Sequence, residues 1–347
     1  MGRSNAKNVV GLDIQPGYVA AVQTRSGVAV ERAACAPLAP GVVRDGEIVD
    51  VDTLAEVLRV LFAEHKLGKR IRLGVANQRI VMRTLDLPPL AGNKEIASAV
   101  RFQAQDHIPM PLDQAVLEYQ SLGVVETADG PRTRVVVVAA RRDMIERQLE
   151  AVKRAGLRAQ GIDLSAFAMI RALHQPGSTD AKLYVAIGGI TNLAVAIGRQ
   201  CVFTRVVAHG TESMAADLAE RRGLTLEHAH AWLRHVGLSL PLTEIEGDPE
   251  IVAEARDVLE EGTRRIADEA RNSIDFHMMQ VGSAGVDSAV VTGPGVAIPG
   301  LVDALSEFAR LPLEIGGVNE ARPGAFGEID AGRLAVAAGL TVEEVPA

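Results

Sequence analysis

Asp13 stands just ahead of a Pro16-Gly17 turn in the run NVVGLDIQPGYVAAVQ, residues 8–23. A carboxylate at the start of a phosphate-facing hairpin holds hydrated Mg²⁺ or orients an attacking water; in an ordinary turn it hydrogen-bonds its own backbone, and both roles stay open. Gly17 lets the backbone approach a phosphate, whereas Pro16 has no N–H to donate. Gln15 and Tyr18 offer neutral hydrogen bonds in the same place. The pattern of apolar strand, glycine turn and apolar strand recurs at residues 183–198, LYVAIGGITNLAVAIG. There Gly188, Gly189, Thr191 and Asn192 have the small and polar character of a phosphate cradle, or of a hairpin turn with no ligand. Ala186 occupies the place that Asp13 has in the first copy, and it can neither coordinate an ion nor polarise water. Gly210 and Glu212 lie between a strand and a helix, where a carboxylate reaches ribose hydroxyls or serves the helix N-terminus together with Thr211. A third turn, VVTGPGVAIPG at residues 290–300, places Gly293, Pro294 and Gly295 ahead of another helix, as an adenosine-side turn requires.

Two hairpin tips that face each other across a cleft present backbone N–H groups to the phosphates of a nucleotide, with a later glycine turn against the nucleoside. This order predicts an α/β, two-lobed actin-like (ribonuclease H-like) ATPase fold. ATP and Mg²⁺ are the candidate ligands, with the metal on Asp13. The altered tips favour binding over fast hydrolysis, and no residue is assigned a catalytic role. His228, His230 and His235 are close in sequence, but positions two apart do not share a helix face and no cysteine or carboxylate completes a ligand set. The chain has no Walker-type, G-x-G-x-x-G or nucleophile-elbow motif.

The 347 residues are 48% hydrophobic and 23% charged, with net charge −8 and only 3% aromatic residues. That is material for more than one lobe, without the basic surface or stacking platforms of a nucleic-acid binder. Two cysteines in apolar runs, Cys35 and Cys201, suit reduced cytosolic thiols. The opening MGRSNAKN lacks the apolar region of a secretion signal, and no run reaches the roughly 20 apolar residues of a membrane span.

The elements that must position these residues follow from periodicity. Strands at 8–14, 18–24 and 27–36 form a meander, followed by a helix at 52–65 and strands IRLGVA and IVMRTLDL. After Pro88 and Pro89 come a helix at about 93–107, strands VLEYQSLGV and RVVVVAA around a turn at Ala128–Pro131, and the helix MIERQLEAVKRAG. Residues 1–87 with 156–180 and 331–347 are expected to form the first lobe, 88–155 an inserted small α/β subdomain, and 181–330 the second lobe, with a helical part at about 213–280. Helical periodicity from Pro249 to Gln280 fits one long helix or two, because Gly262 weakens a helix by about 1 kcal/mol relative to Ala. AGRLAVAAGL at 331–340 is small and apolar enough to pack inside.

The segment AVRFQAQDHIPMPLDQAVLEYQSLG, residues 99–123, is the most distinctive stretch outside the glycine turns. Phe102, Ile108, Met110 and Leu112 line a groove there or form the insertion's own small core. This segment, with GLDIQPGYVAAV, PGVVRDGEIVDVDTLAEVL, VMRTLDLPPL, AIGGITNLAV, EARNSIDFHMMQ and VVTGPGVAIPGL, resembles the PilM family of type IV pilus assembly proteins over nearly the whole chain. The resemblance implies a four-subdomain fold similar to the cell-division protein FtsA. It further implies a cytoplasmic scaffold with a groove beside its inserted subdomain that accepts the N-terminal cytoplasmic tail of PilN, reaching the membrane and the other assembly machinery only through partners. At the first hairpin the family pattern is a Gly followed by several Ser and a nearby Lys; this chain has Gln15, Pro16, Gly17, Tyr18 and Ala20. At the second, an acidic residue is usual where Ala186 stands. Each lost charged contact is worth roughly 1.5–3 kcal/mol, so any ATP affinity and turnover are expected to be weak. The rival expectations are an active actin-fold ATPase or kinase relative, and an FtsA-like filament-forming tether. The tail TVEEVPA lacks the basic and aromatic residues of an amphipathic membrane helix.

Overall fold

Side chains alternate across a strand, and that rule assigns every residue of the first strand to one of two jobs. In β1 (Val10–Gln15), Val10, Leu12 and Ile14 enter the core beneath the sheet, while Gly11, Asp13 and Gln15 point to the opposite face. All six are buried, since both faces of the strand are covered. The computed structural model describes residues 9–90, 92–127, 130–279 and 283–342. Part of the turn expected at Ala128–Pro131, Gln280 and the tail from residue 343 lie outside them.

β1 is followed by β2 (Tyr18–Ser26), β3 (Ala29–Pro37), the short pair β4 (Val43–Arg44) and β5 (Glu47–Ile48), α1 (Val51–Glu64) and β6 (Arg70–Val75). The Asp50 carboxylate caps α1 by accepting from Thr53 N, and Leu54, Leu58 and Leu61 repeat at helical spacing on the buried side. Next come β7 (Val81–Leu87), α2 (Asn93–His107), β8 (Ala115–Thr127), β9 (Gly130–Arg141) and α3 (Arg142–Arg154). β10 (Arg158–Leu164) and α4 (Ser165–Leu173) precede a second meander of β11 (Ala181–Ile187), β12 (Thr191–Ile197) and β13 (Gln200–Val207). The chain continues through α5 (Thr211–Arg222), α6 (Leu226–Val236), α7 (Pro249–Met278), β14 (Ala289–Thr292), α8 (Leu301–Ala309), β15 (Leu313–Ile315) and α9 (Ala331–Leu340).

Contacts divide the described chain into two units, residues 9–77 with 151–342, and residues 78–150. The larger unit holds two five-stranded sheets in the orders β3-β2-β1-β6-β10 and β13-β12-β11-β14-β15. Each is an antiparallel three-stranded meander extended by two parallel strands, so the half-similarity of the two hairpin sequences is a duplicated topology. The first sheet packs on α1 through Leu12, Leu54, Leu58 and Leu73. The second packs on α5, α6, α7 and α8 in one continuous core that includes Leu193, Met214, Leu233, Leu259 and Leu305. Burying a leucine contributes about 1.5–3 kcal/mol, so these interiors set the stability of the unit.

α7 is a single helix of 30 residues, capped by Asp248 with Pro249 in its first turn. Gly262 does not break it, because the glycine brings the helix against α5: a β-carbon there would lie 2.6 Å from Met214 Cε. α9 is buried over most of its length, with Leu334, Ala335, Ala337, Ala338 and Leu340 fully enclosed. Glycines permit its backbone contacts on two sides, its own Gly339 against the Ala168 carbonyl of α4, and Gly11 of β1 against its Ala337 carbonyl.

The smaller unit is a three-stranded antiparallel sheet, order β7-β9-β8, with α2 on it. β7, expected in the first lobe, pairs instead with β9 from Val81↔Ala139 to Leu87↔Thr133. Its alternation explains the placement, since Leu85 and Leu87 join Val135, Val137, Ile96 and Val100 in this unit's own core. On the solvent side Asp86 receives a two-pronged guanidinium from Arg134, which holds its carboxyl below the ordinary 3.8. Among the described residues no helix is long and apolar enough to cross a membrane.

Candidate functional site

The register of the first hairpin puts Asp13 opposite Ala20 and Gln15 opposite Tyr18. Cross-strand partners share a face, so Asp13, Gln15 and Tyr18 all point away from the α1 core. The Pro16-Gly17 turn between them has Gly17 at φ 85°, a left-handed conformation that costs glycine nothing. A side chain there would also overlap the Glu212 carboxylate at the start of α5. In the second hairpin the same alternation places Val185 and Ile187 in the core and Ala186 on the opposite face, paired with Asn192.

The two tips touch. A β-carbon on Gly189 would overlap the Pro16 carbonyl, and one on Gly188 would lie 3.1 Å from Tyr18 Oη and 3.4 Å from Gln15 Oε1. The second hairpin is further tied to the turn that opens α5. Gly188 N donates to Ile190 O at 3.0 Å, and Gly188 O accepts from both Thr211 N (2.8 Å) and Thr211 Oγ1 (3.0 Å). Thr191 Oγ1 donates to His209 O at 2.7 Å, and Gly210 lies against the Gly188 and Gly189 carbonyls. In the third turn Gly293, at φ 95°, donates to Gly332 O, and Gly295 packs on Ile187.

Two spaces lie among these turns. The smaller, of about 10 Å³, is bordered by Asp13, Gln15, Tyr18, Gly188, Asn192 and Gly293, and by Ser165, Gly332 and Arg333. It has room for about one water. Gln15 Oε1, Asn192 Oδ1 and Ser165 Oγ are buried there with no protein partner. Asp13 accepts from Gln15 Nε2 at 3.1 Å, and its carboxyl is pushed up from 3.8 to about 6 by burial, which outweighs that hydrogen bond. Burial, then Asp13, raises the Tyr18 hydroxyl, with Arg333 opposing. The larger cavity, of about 510 Å³, is bordered by Gly17, Tyr18, Glu212, Pro294, His230 and Arg333 among others. Its volume is that of a small-molecule site. Glu212 accepts from, or shares a proton with, His230 Nε2 at 2.8 Å, so the carboxylate expected to meet ribose already has a partner. Cys35 borders the same cavity, its thiol pushed up to about 12 by burial.

Thirteen nucleotide-side residues were expected from sequence, and all of them fall in or immediately behind this cleft. The residues present do not fit a triphosphate as they stand, because Gly188 N and Gly293 N donate to protein carbonyls and the space beside Asp13 holds about one water. Sequence reasoning missed Arg333, whose guanidinium stacks 4.9 Å from the Tyr18 ring centroid. The signal was available: Arg333 is the lone charge in AGRLAVAAGL. In the smaller unit Ile108 is buried in the core, Met110 and Leu112 pack against it half-buried, and Phe102 on α2 is 73% exposed.

Comparison with known proteins places this geometry. A solved structure described as the PilM-PilN type IV pilus biogenesis complex is similar at TM-score 0.80 and 24% identity, covering 96% of this chain and 97% of that one. MreB5 of Spiroplasma citri bound to ADP is similar at TM-score 0.56 and 14% identity, over 96% of this chain and 95% of that one. The ethanolamine utilization protein EutJ from Carboxydothermus hydrogenoformans matches at 0.55 and 16%, over 96% and 88%. The fold is thus the two-sheet α/β fold of the actin-like ATPases. The family model described as type IV pilus assembly protein PilM matches residues 11–320, both hairpins and the whole smaller unit included, and the chain belongs to that family.

Proposed function

We propose that this protein is a cytoplasmic scaffold of type IV pilus assembly that docks the N-terminal cytoplasmic tail of PilN on its inserted subdomain, about residues 88–155. The observation that carries the reading is the family match over residues 11–320, a range that includes the 99–123 segment. The most similar fold described above is that of a PilM-PilN complex, which supports PilN as the partner. Recognition of an extended tail uses main-chain pairing to an outer strand plus a few apolar anchors. β8 is an outer strand of its sheet, and Phe102 is a large exposed apolar side chain on the adjoining helix. Ile108 belongs to the core of the same unit, with Met110 and Leu112 packed half-buried against it. Attachment to the membrane then comes through the partner. Calorimetry with a peptide of the PilN tail tests this: the wild type binds, Phe102→Ala binds at least tenfold more weakly, and absence of binding by the wild type removes the reading.

A second reading, ATP with Mg²⁺ in the cleft and slow hydrolysis, is favoured by the cavity of about 510 Å³ beside Pro294 and Glu212. The MreB5 relative holds ADP in a chain of the same fold. Asp13 borders the smaller space and not this cavity, so this reading requires the space beside it to open before the carboxylate could hold magnesium. This reading expects magnesium-dependent turnover that falls in Asp13→Ala, and turnover equal to buffer removes it.

A further inference from the structure

Tyr18 and Arg333 border both spaces of the cleft. The guanidinium stacks on the phenol ring at 4.9 Å, a distance at which cation and ring attract. The stacked pair is therefore the wall between the cavity of about 510 Å³ and the pocket of about 10 Å³ that contains Asp13. We propose that the Tyr18–Arg333 pair is a built-in plug that excludes the phosphate chain of a nucleoside triphosphate, so that the lobes of this protein are held together by their own contacts rather than by nucleotide.

Three independent features converge on the plug. The first is the wall itself, formed by one residue from the first hairpin and one from α9, stacked on each other and both bordering the space that contains Asp13. Arg333 is fixed from below: Asp330 caps α9 by accepting from Gly332 N at 2.8 Å, and Arg333 N donates to Asp330 O at 3.1 Å. The second is tip-to-tip contact, Gly189 on the Pro16 carbonyl and Gly17 on the Glu212 side chain, which closes the gap through which phosphates would pass between the hairpins. The third is the inward use of donors: Gly188 N and Gly293 N bond to protein carbonyls, and Pro16 has no N–H. A cation near a phosphate site ordinarily attracts the ligand, and that gives two opposite expectations for its removal. If Arg333 were a phosphate ligand, deleting the guanidinium would weaken ATP binding by the loss of a charge-assisted hydrogen bond. If it is a plug, deletion opens the wall and tightens binding.

The test is calorimetric titration of ATP with Mg²⁺ into the full chain and into Arg333→Ala, Arg333→Met and Tyr18→Ala. Cooperative urea unfolding of each variant establishes that it is folded. Tyr18→Ala keeps the cation and removes only the ring, so it separates steric from electrostatic effects. The expected result is that Tyr18→Ala and at least one folded Arg333 variant bind ATP tenfold or more tighter than the wild type. Variants no tighter than the wild type, whether all bind or none does, overturn the proposal, as does a wild type that binds tighter than its Arg333 variants. The experiment concerns the cleft alone, so its outcome is separate from that of the PilN-tail titration.

Discussion

Asp13→Asn is expected to stabilise this protein, and by an amount that depends on pH. The carboxyl is 2% exposed, receives one hydrogen bond from Gln15, and has its pKa raised to about 6 by burial. Unfolding returns it to the ordinary 3.8. Between those values the folded state binds more protons than the unfolded chain, so stability falls as pH rises from about 4 through about 6 and is then level. At about 1.36 kcal/mol per pH unit the loss is about 3 kcal/mol, the energy of keeping an unneutralised carboxylate in a buried pocket. Asparagine retains the size and one hydrogen bond with Gln15 and carries no charge. The variant should match the wild type near pH 3.5 and exceed it by up to about 3 kcal/mol at pH 8, with an unfolding midpoint about 6 °C higher at roughly 2 °C per kcal/mol. Urea unfolding of both proteins at pH 4, 5, 6, 7 and 8 reads the difference directly. Curves that stay parallel over this range, within about 0.5 kcal/mol, would refute the claim that burial dominates the Asp13 environment.

Gly189→Ala should lower stability by about 1–3 kcal/mol in urea unfolding, because the new methyl meets the Pro16 backbone, which cannot rotate away. Gly262→Ala should lower stability by up to about 2 kcal/mol in the same assay: the new methyl would meet Cε, Cγ and Sδ of the fully buried Met214, which offsets the gain of about 1 kcal/mol in helix propensity, and Gly262→Val should cost more. Ile108→Ala should cost about 2–5 kcal/mol as a core truncation, whereas Phe102→Ala should change unfolding by less than about 0.5 kcal/mol and be felt only in tail binding.

The strands and helices of the first and second meanders were legible because each obeys a single period, two in the hairpins and 3.6 in helices such as α1. The duplication was legible too, since NVVGLDIQPGYVAAVQ and LYVAIGGITNLAVAIG carry the same order of apolar runs and glycine turn. β7 was expected in the first lobe because Pro88 and Pro89 mark a break in the chain but not a change of core, and pairing with β9 shows which core Leu85 and Leu87 join. Glycines gave away the closeness of the turns but not what closes on them. Gly17 is against Glu212 and Gly189 against Pro16, contacts between residues far apart in sequence that no local pattern encodes. Arg333 shows the same limit: its helix reads as core filler, and its meaning comes from the ring of Tyr18 at the other end of the chain.

α9 carries a consequence for how the protein is made. β1 leaves a ribosome long before α9, yet Gly11 lies against the Ala337 carbonyl and Thr24 Oγ1 meets Thr341 Oγ1 at 2.7 Å. Until α9 has been made, the face of the β1-β2 hairpin that it covers stays open, and the second sheet with its helices is complete earlier. Nascent chains stalled before residue 331 should therefore expose Val10–Gln15 to protease or chaperone while the second meander is already protected.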